Sequence, residues 1–213
     1  MTGEKHIVQL RVVRKRTGQR IAVEMDSGAT FEIAPEIVVS RGIKTGAALR
    51  DEDIEQLLRE DERIRAQQRL TGYLALRVKS VADARSYLER AGFGEAAVTA
   101  AIAHAIERDL LDDRRFCERY VRTKMKAATA GPLRLVAELV THGIEPSLAE
   151  SVVETEFDRD RQIAIAEKIA AKRLGKGFGN SDKDEVEVVY DLLMQRGFDD
   201  DVAAEVAERA TDW

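Results

Sequence analysis

YLERAGFGEAAVTAAI (residues 87–102), ELVTHGIEPSLAESVV (138–153) and LLMQRGFDDDVAAEVA (192–207) are three versions of one phrase. In each, a leucine stands four residues before a glycine: Leu88 and Gly92, Leu139 and Gly143, Leu193 and Gly197. An apolar residue follows the glycine at once, Phe93, Ile144 or Phe198. Polar or acidic residues come next. Apolar positions at helical spacing close the phrase, with Val98 and Ile102, Leu148 and Val152, Val202 and Val206. The physical reading is a helix ended by a left-handed glycine, an apolar residue folding back onto that helix, and a second helix starting near Glu95, Ser147 or Asp199. The glycines lie 51 and 54 residues apart, an interval regular enough to mark a repeat. Each interval has room for a third helix, over residues 113–126 and 160–174. The expected fold is therefore mainly α: three tandem three-helix units stacked in a curved array.

Upstream of the repeats the pattern changes. Residues 7–13, 21–23 and 30–33 are rich in β-branched side chains, with turn signals at Thr17-Gly18 and Ser27-Gly28. They predict a small three-stranded meander, too small to bury a core without a neighbour. Pro35 ends it, and a short helix with turns at Gly42 and Gly46 should follow. From Asp51, read as an N-cap, an apolar stripe of Ile54, Leu57, Leu58, Ile64, Leu70, Tyr73, Leu74 and Leu76 predicts one long helix or two. The expected division is 1–50 for the β segment, then 51–111, 112–157 and 158–213 for the three helical units.

Composition agrees with this and excludes several classes. The 213 residues are 44% hydrophobic and 34% charged, with 5% aromatics and three prolines, unlike a β-sandwich or a collagen-like chain. The single cysteine allows no internal disulfide, as expected of a reducing compartment. The longest apolar run, 98–106, is half the length of a membrane span, and residues 1–13 lack a signal-peptide core. A cytoplasmic monomer is expected. The net charge of −5 is unevenly spread. Residues 1–20 hold six cations against Glu4, and residues 113–134 hold seven against Asp113 and Glu118. Residues 177–213 hold three cations against eleven acids.

Catalytic patterns are weak. Cys117 falls in an apolar row with Phe116, Tyr120 and Val121, where packing explains it better than nucleophilic chemistry. His6, His104 and His142 have no partners at metal-ligand spacing. The glycines of LGKGFGNS (174–181) lack the Walker spacing and follow a helix rather than a strand, so they read as a linker. Asp112 and Asp113 could hold a metal for phosphoryl transfer, but at a helix start they read first as caps. No catalytic residue, metal or cofactor is expected.

The basic segment is more informative. Arg115, Arg119, Arg122 and Lys126 are spaced to share one helix face, with Phe116, Tyr120 and Val121 on the buried side. Arg161, Lys168, Lys172 and Lys176 could form a second such ridge in the next unit. Ridges of this kind track phosphates or dock on an acidic surface. A solvated face paired with nearby acids such as Glu118 would carry the same pattern.

RDLLDDRRFCERYV (108–121), the Gly-Phe and Gly-Ile turns and DLLMQRGF (191–198) together resemble the RecX family, bacterial regulators of the RecA recombinase. The resemblance runs over nearly the whole chain. Its core is Leu111, Asp112, Asp113 and Phe116, followed by Gly131, Arg134, Glu138 and Leu139 before Gly143-Ile144, and by Arg196-Gly197-Phe198. The chain departs from the family pattern at Val78 (usually Pro), Cys117 (usually Ala), His142 (usually Lys) and Gln195 (often Arg). The last two remove positive charge from what reads as the repeat tips. The resemblance implies three tandem three-helix units, no catalysis, and insertion into the groove of a RecA–DNA filament. RecA's recombinase, ATPase and co-protease activities would be inhibited as a result. Arg115, Arg119, Arg122, Lys126, Lys168 and Lys172 would carry docking. Gly92, Phe93, Asp112, Asp113, Phe116, Gly143, Ile144, Gly197 and Phe198 would be structural. Direct binding to single- or double-stranded DNA is the alternative.

Overall fold

A computed structural model describes residues 4–15, 18–175 and 184–210. Four strands come first: β1 (Lys5–Lys15), β2 (Gly18–Met25), β3 (Thr30–Ile33) and, after helix α1 (Pro35–Ser40), the two-residue β4 (Ala48–Leu49). The long helix α2 (Asp51–Leu74) follows, then α3 (Val81–Arg90), α4 (Glu95–Glu107), α5 (Asp113–Ala127), α6 (Pro132–Thr141), α7 (Pro146–Glu156), α8 (Arg159–Leu174), α9 (Glu185–Gln195) and α10 (Asp200–Ala210). The fold is thus mainly helical with an antiparallel sheet at its N-terminal end. Two compact units divide it: Met1–Arg77 with Ala84–Leu110, and Val78–Asp83 with Leu111–Trp213.

The first unit holds the sheet, ordered β3-β2-β1-β4. The expected meander is present, and β4 extends it by pairing with Lys5 and His6 alone. The sheet buries Ile7, Val23, Met25 and Ile33 against Ile37 of α1 and Leu57 of α2, the neighbour that so small a sheet requires. Asp61 of α2 fastens this layer. It is 2% exposed and accepts from the Ala34 N–H at 2.8 Å, from Arg20 at 2.7 Å and from Arg65 at 2.9 Å. A buried carboxylate so fully bonded is tolerable where a bare one would not be. Asp51 is the first helical residue rather than the cap. The preceding Arg50 N–H is taken by Asp53 at 3.0 Å, and Asp51 pairs with Lys5. The stripe is narrower than its sequence indicates: Leu57 and Leu70 of α2 are buried, whereas Leu58 of α2 and Leu76, just past its end, face solvent.

The three glycine turns are alike in detail. Gly92, Gly143 and Gly197 have φ of 85°, 73° and 81°. The N–H groups of Phe93, Ile144 and Phe198 donate back to the carbonyls of Leu88, Leu139 and Leu193 at 3.3, 3.2 and 3.1 Å. This is the Schellman closure of a helix C-terminus. The three leucines are fully buried, as are Ile144 and Phe198. The second helices start where expected, at Glu95, Pro146 and Asp200. Glu145, not Ser147, caps α7 by accepting from the Leu148 N–H, and Ser147 bonds to Glu145.

The turns diverge in what lies against them. A Cβ on Gly92 would meet nothing within 4 Å. A Cβ on Gly143 would lie 2.2 Å from the Ala82 Cβ at the start of α3, and one on Gly197 would lie 2.5 Å from the Arg134 N at the start of α6. So in the second unit the first turn of an upstream helix rests on the glycine turn of the next pair. Backbone bonds hold one joint: Gly131 N–H to Arg196 O at 2.8 Å and Leu133 N–H to Gly197 O at 3.0 Å. Side chains hold the other. Buried Ser80 donates to His142 O at 2.8 Å while accepting from the Asp83 N–H at 3.0 Å. Asp113 takes the Val81 N–H at 2.8 Å.

Alanine substitutions should therefore rank. Gly92→Ala carries only the left-handed backbone cost, about 1–2 kcal/mol. Gly143→Ala and Gly197→Ala add an overlap costing roughly 1–3 kcal/mol more. Urea unfolding of the three variants checks this order, and equal losses would contradict the joints.

Candidate functional site

The cationic face of the second unit is built on α5. Asp112 caps this helix by accepting from the Arg115 N–H at 3.0 Å, and Asp113 caps α3 through Val81. Both carboxylates are thereby committed to helix starts, which accounts for the acidic pair without catalysis. Phe116, Cys117 and Val121 point into the core. Burial pushes the Cys117 thiol up to about 11, so it stays protonated and unreactive at neutral pH. With that face buried, helical periodicity turns Arg115, Arg119, Arg122 and Lys126 outward, and all four are exposed.

Their surroundings differ. Arg122 forks onto Glu156 at the end of α7, with Nε and Nη2 donating at 2.9 and 2.5 Å. That bond holds the Glu156 carboxyl below its ordinary range. Arg122 is thus an internal tie as well as a surface charge. Arg115 lies 3.9 Å from Asp112. Arg119 and Lys126 have no acidic partner among the described residues.

The second ridge joins the first at Glu156. Arg161, in the first turn of α8, donates to the Glu156 carbonyl at 2.9 Å. The C-terminal end of α7 thus gathers an arginine from α5 and another from α8, as its exposed carbonyls favour. Lys168 and Lys172 continue the α8 side, exposed and without an acidic partner among the described residues. Lys176 and the Gly177–Gly179 stretch lie outside the described residues. Arg119, Lys126, Lys168 and Lys172 are therefore among the cations that the second unit leaves outward within the described residues, as is Arg114.

Two residues that the sequence reading named have contacts it did not give. Glu138 receives Lys124 at 2.6 Å, the Tyr120 hydroxyl at 2.7 Å and Arg134 at 3.1 Å. Burial raises its carboxyl, but these three donors outweigh burial and bring it down to about 2. The spacing of Arg134 and Glu138 was the only local signal. His142 does not stand clear of the fold as a tip. Its ring sits 3.0 Å from Asp83 and edge-on to Phe116 and Tyr120, at 5.4 Å from each, beside the Gly143 joint. No group of three or more His, Cys, Asp or Glu side chains among the described residues could hold a metal ion. No described helix is long and apolar enough to cross a membrane.

Comparison with known proteins places this geometry. Residues 112–153 match the family model described as RecX, second three-helix domain. Proteins named regulatory protein RecX are similar over nearly the whole chain. That of Halalkalibacterium halodurans is 25% identical over 91% of this chain and 74% of its own length. That of Bacillus licheniformis is 26% identical over 94% and 75%. A crystal structure of regulatory protein RecX superposes with a TM-score of 0.75 over 98% of this chain and all of its own, at 21% identity. RecX from Lactobacillus salivarius gives 0.65 over 72% of this chain and 99% of its own, at 20% identity. The resemblance to the RecX family is borne out in sequence and in fold.

The Glu138 cluster predicts a pH signature. Its carboxyl sits lower in the folded chain than its ordinary value of 4.5, so its contribution is present above that value and disappears as pH falls toward 2. Glu138→Gln should cost on the order of 2–3 kcal/mol at pH 7. The gap from the parent protein should close between pH 4.5 and 2. Urea midpoints across that range test it, and a gap independent of pH would leave shape rather than charge as the cause.

Proposed function

We propose that this chain is a non-enzymatic regulator that docks on the RecA–DNA filament. There it lowers RecA's recombinase, ATPase and co-protease activities in DNA repair and the SOS response, in the cytoplasm. The observation that carries the reading is the pair of exposed basic ridges on α5 and α8, each tied to Glu156 of α7 through Arg122 or Arg161, on a chain of net charge −5. A local positive face on an acidic protein favours a particular anionic docking surface over indiscriminate polyanion binding. Arg119, Lys126, Lys168 and Lys172 supply free charge. Arg115 and Arg122 share the face while leaning on Asp112 and Glu156. The names of the similar proteins, regulatory protein RecX, support a regulator rather than a catalyst. In this reading residues 51–111, 112–157 and 158–213 act as tandem three-helix modules behind an N-terminal segment of residues 1–50.

A second reading, favoured by the same lysines, is a protein that binds DNA without RecA. Counterion release separates the two. Binding to bare single strands would then weaken with salt at a slope of about −0.7 per phosphate contact.

The clean variant is Arg119→Glu/Lys126→Glu/Lys168→Glu, since these three side chains have no acidic partner among the described residues to lose. Arg122→Glu would instead set two carboxylates together at Glu156. The triple variant should cosediment with RecA on single-stranded DNA about tenfold more weakly or worse, with an unchanged circular dichroism spectrum. Undiminished binding to the filament would overturn the docking face. A loss confined to bare DNA would favour the second reading.

A further inference from the structure

In the first unit β1 is eleven residues long, yet β4 covers only its first two, Lys5 and His6. On its other side β1 pairs with β2 from Ile7 to Lys15. From Val8 to Lys15 the outer edge of β1 therefore has no strand partner among the described residues. An open edge of this length is a template for another extended chain, because its backbone donors and acceptors stand in register.

The side chains along this edge specify what would fit. Leu10 and Val12 share a face, opposite Val23 and Ile21 of β2. That face starts on the core and runs off it: Leu10 packs against the core, whereas Val12 is 59% exposed. Val8, at the irregularity between Ile7 and Gln9, is 48% exposed. Arg11 and Arg14 are exposed and have no acidic partner among the described residues, and Lys15 pairs with Glu32 at 2.9 Å. Arg14 thus shares a face with Leu10 and Val12, and Arg11 shares the opposite face with Val13 and Lys15, so each face of the strand carries apolar and cationic positions. A second copy of β1 would bring like charges together, six cations on one ribbon, which disfavours self-pairing.

We propose that the outer edge of β1, from Val8 to Lys15, is a docking site for an extended acidic segment of a partner protein, which joins the sheet as a fifth strand. Backbone bonds would give the affinity. Carboxylates facing Arg11 and Arg14, and apolar residues beside Val8 and Val12, would give the selectivity. The site is independent of the cationic face of the second unit.

The test uses the full chain and a fluorescein-labelled eight-residue Glu/Val peptide, Thr-Glu-Val-Val-Glu-Val-Thr-Val, whose two carboxylates have the three-residue spacing of Arg11 and Arg14, with the same peptide carrying Lys in place of Glu as control. The Glu/Val peptide should raise anisotropy saturably, and the control should not. It should slow amide hydrogen exchange in residues 8–15 rather than in α5 or α8. Arg11→Glu/Arg14→Glu should weaken binding about tenfold or more while the circular dichroism spectrum is unchanged. Equal binding of both peptides, no binding, protection confined to α5 or α8, or concentration-dependent dimerisation through β1 in sedimentation would each overturn the proposal.

Discussion

The second unit depends on one close approach, that of a helix start to a glycine turn. At Gly143 and at Gly197 a neighbouring backbone or Cβ comes to where a side chain would stand, 2.2 and 2.5 Å from an added Cβ. The left-handed φ needed to end the helix and the missing Cβ needed for the contact are demanded of the same residue. The contact also resolves a problem common to helices, whose first N–H groups lack internal partners. At α6 the carbonyls of Arg196 and Gly197 take two of them. At α3 Ser80 and Asp113 take the corresponding ones. Two chemically different solutions thus serve one geometric task, which is how repeats can drift in sequence and still stack.

Charge is layered on that scaffold. Exposed ion pairs contribute little singly, usually below about 1 kcal/mol. Their value here is placement. Glu156 draws in Arg122, and its carbonyl draws in Arg161, so α5 and α8 each bring one arginine to the end of α7. Glu138 does the inward counterpart by collecting Tyr120, Lys124 and Arg134. The cations facing these half-buried acids are held in ion pairs, and those beyond reach of an acid stay exposed. Asp61 performs the same joining task in the first unit, from a more deeply buried position.

The amino-acid order by itself determined every feature governed by neighbours along the chain. The thrice-written Leu-to-Gly spacing specified helix, left-handed glycine and back-folding apolar residue, because those bonds close within six residues. The buried face of α5 followed from helical periodicity, and the β character of residues 7–34 from β-branched runs. Tertiary structure alone decided what depends on segments far apart. Nothing local distinguishes Gly92, with open space beside it, from Gly143 and Gly197, which are pressed by Ala82 and Arg134. Nor could spacing reveal that Arg122 is tied to Glu156 across 34 positions, that His142 turns into a joint with Asp83 across 59, or that β4 stops short and leaves β1 open. Local hydrogen bonding and periodicity are written into adjacent residues. Which surfaces meet, and which charges are consumed in meeting, is settled only when distant segments share the same space.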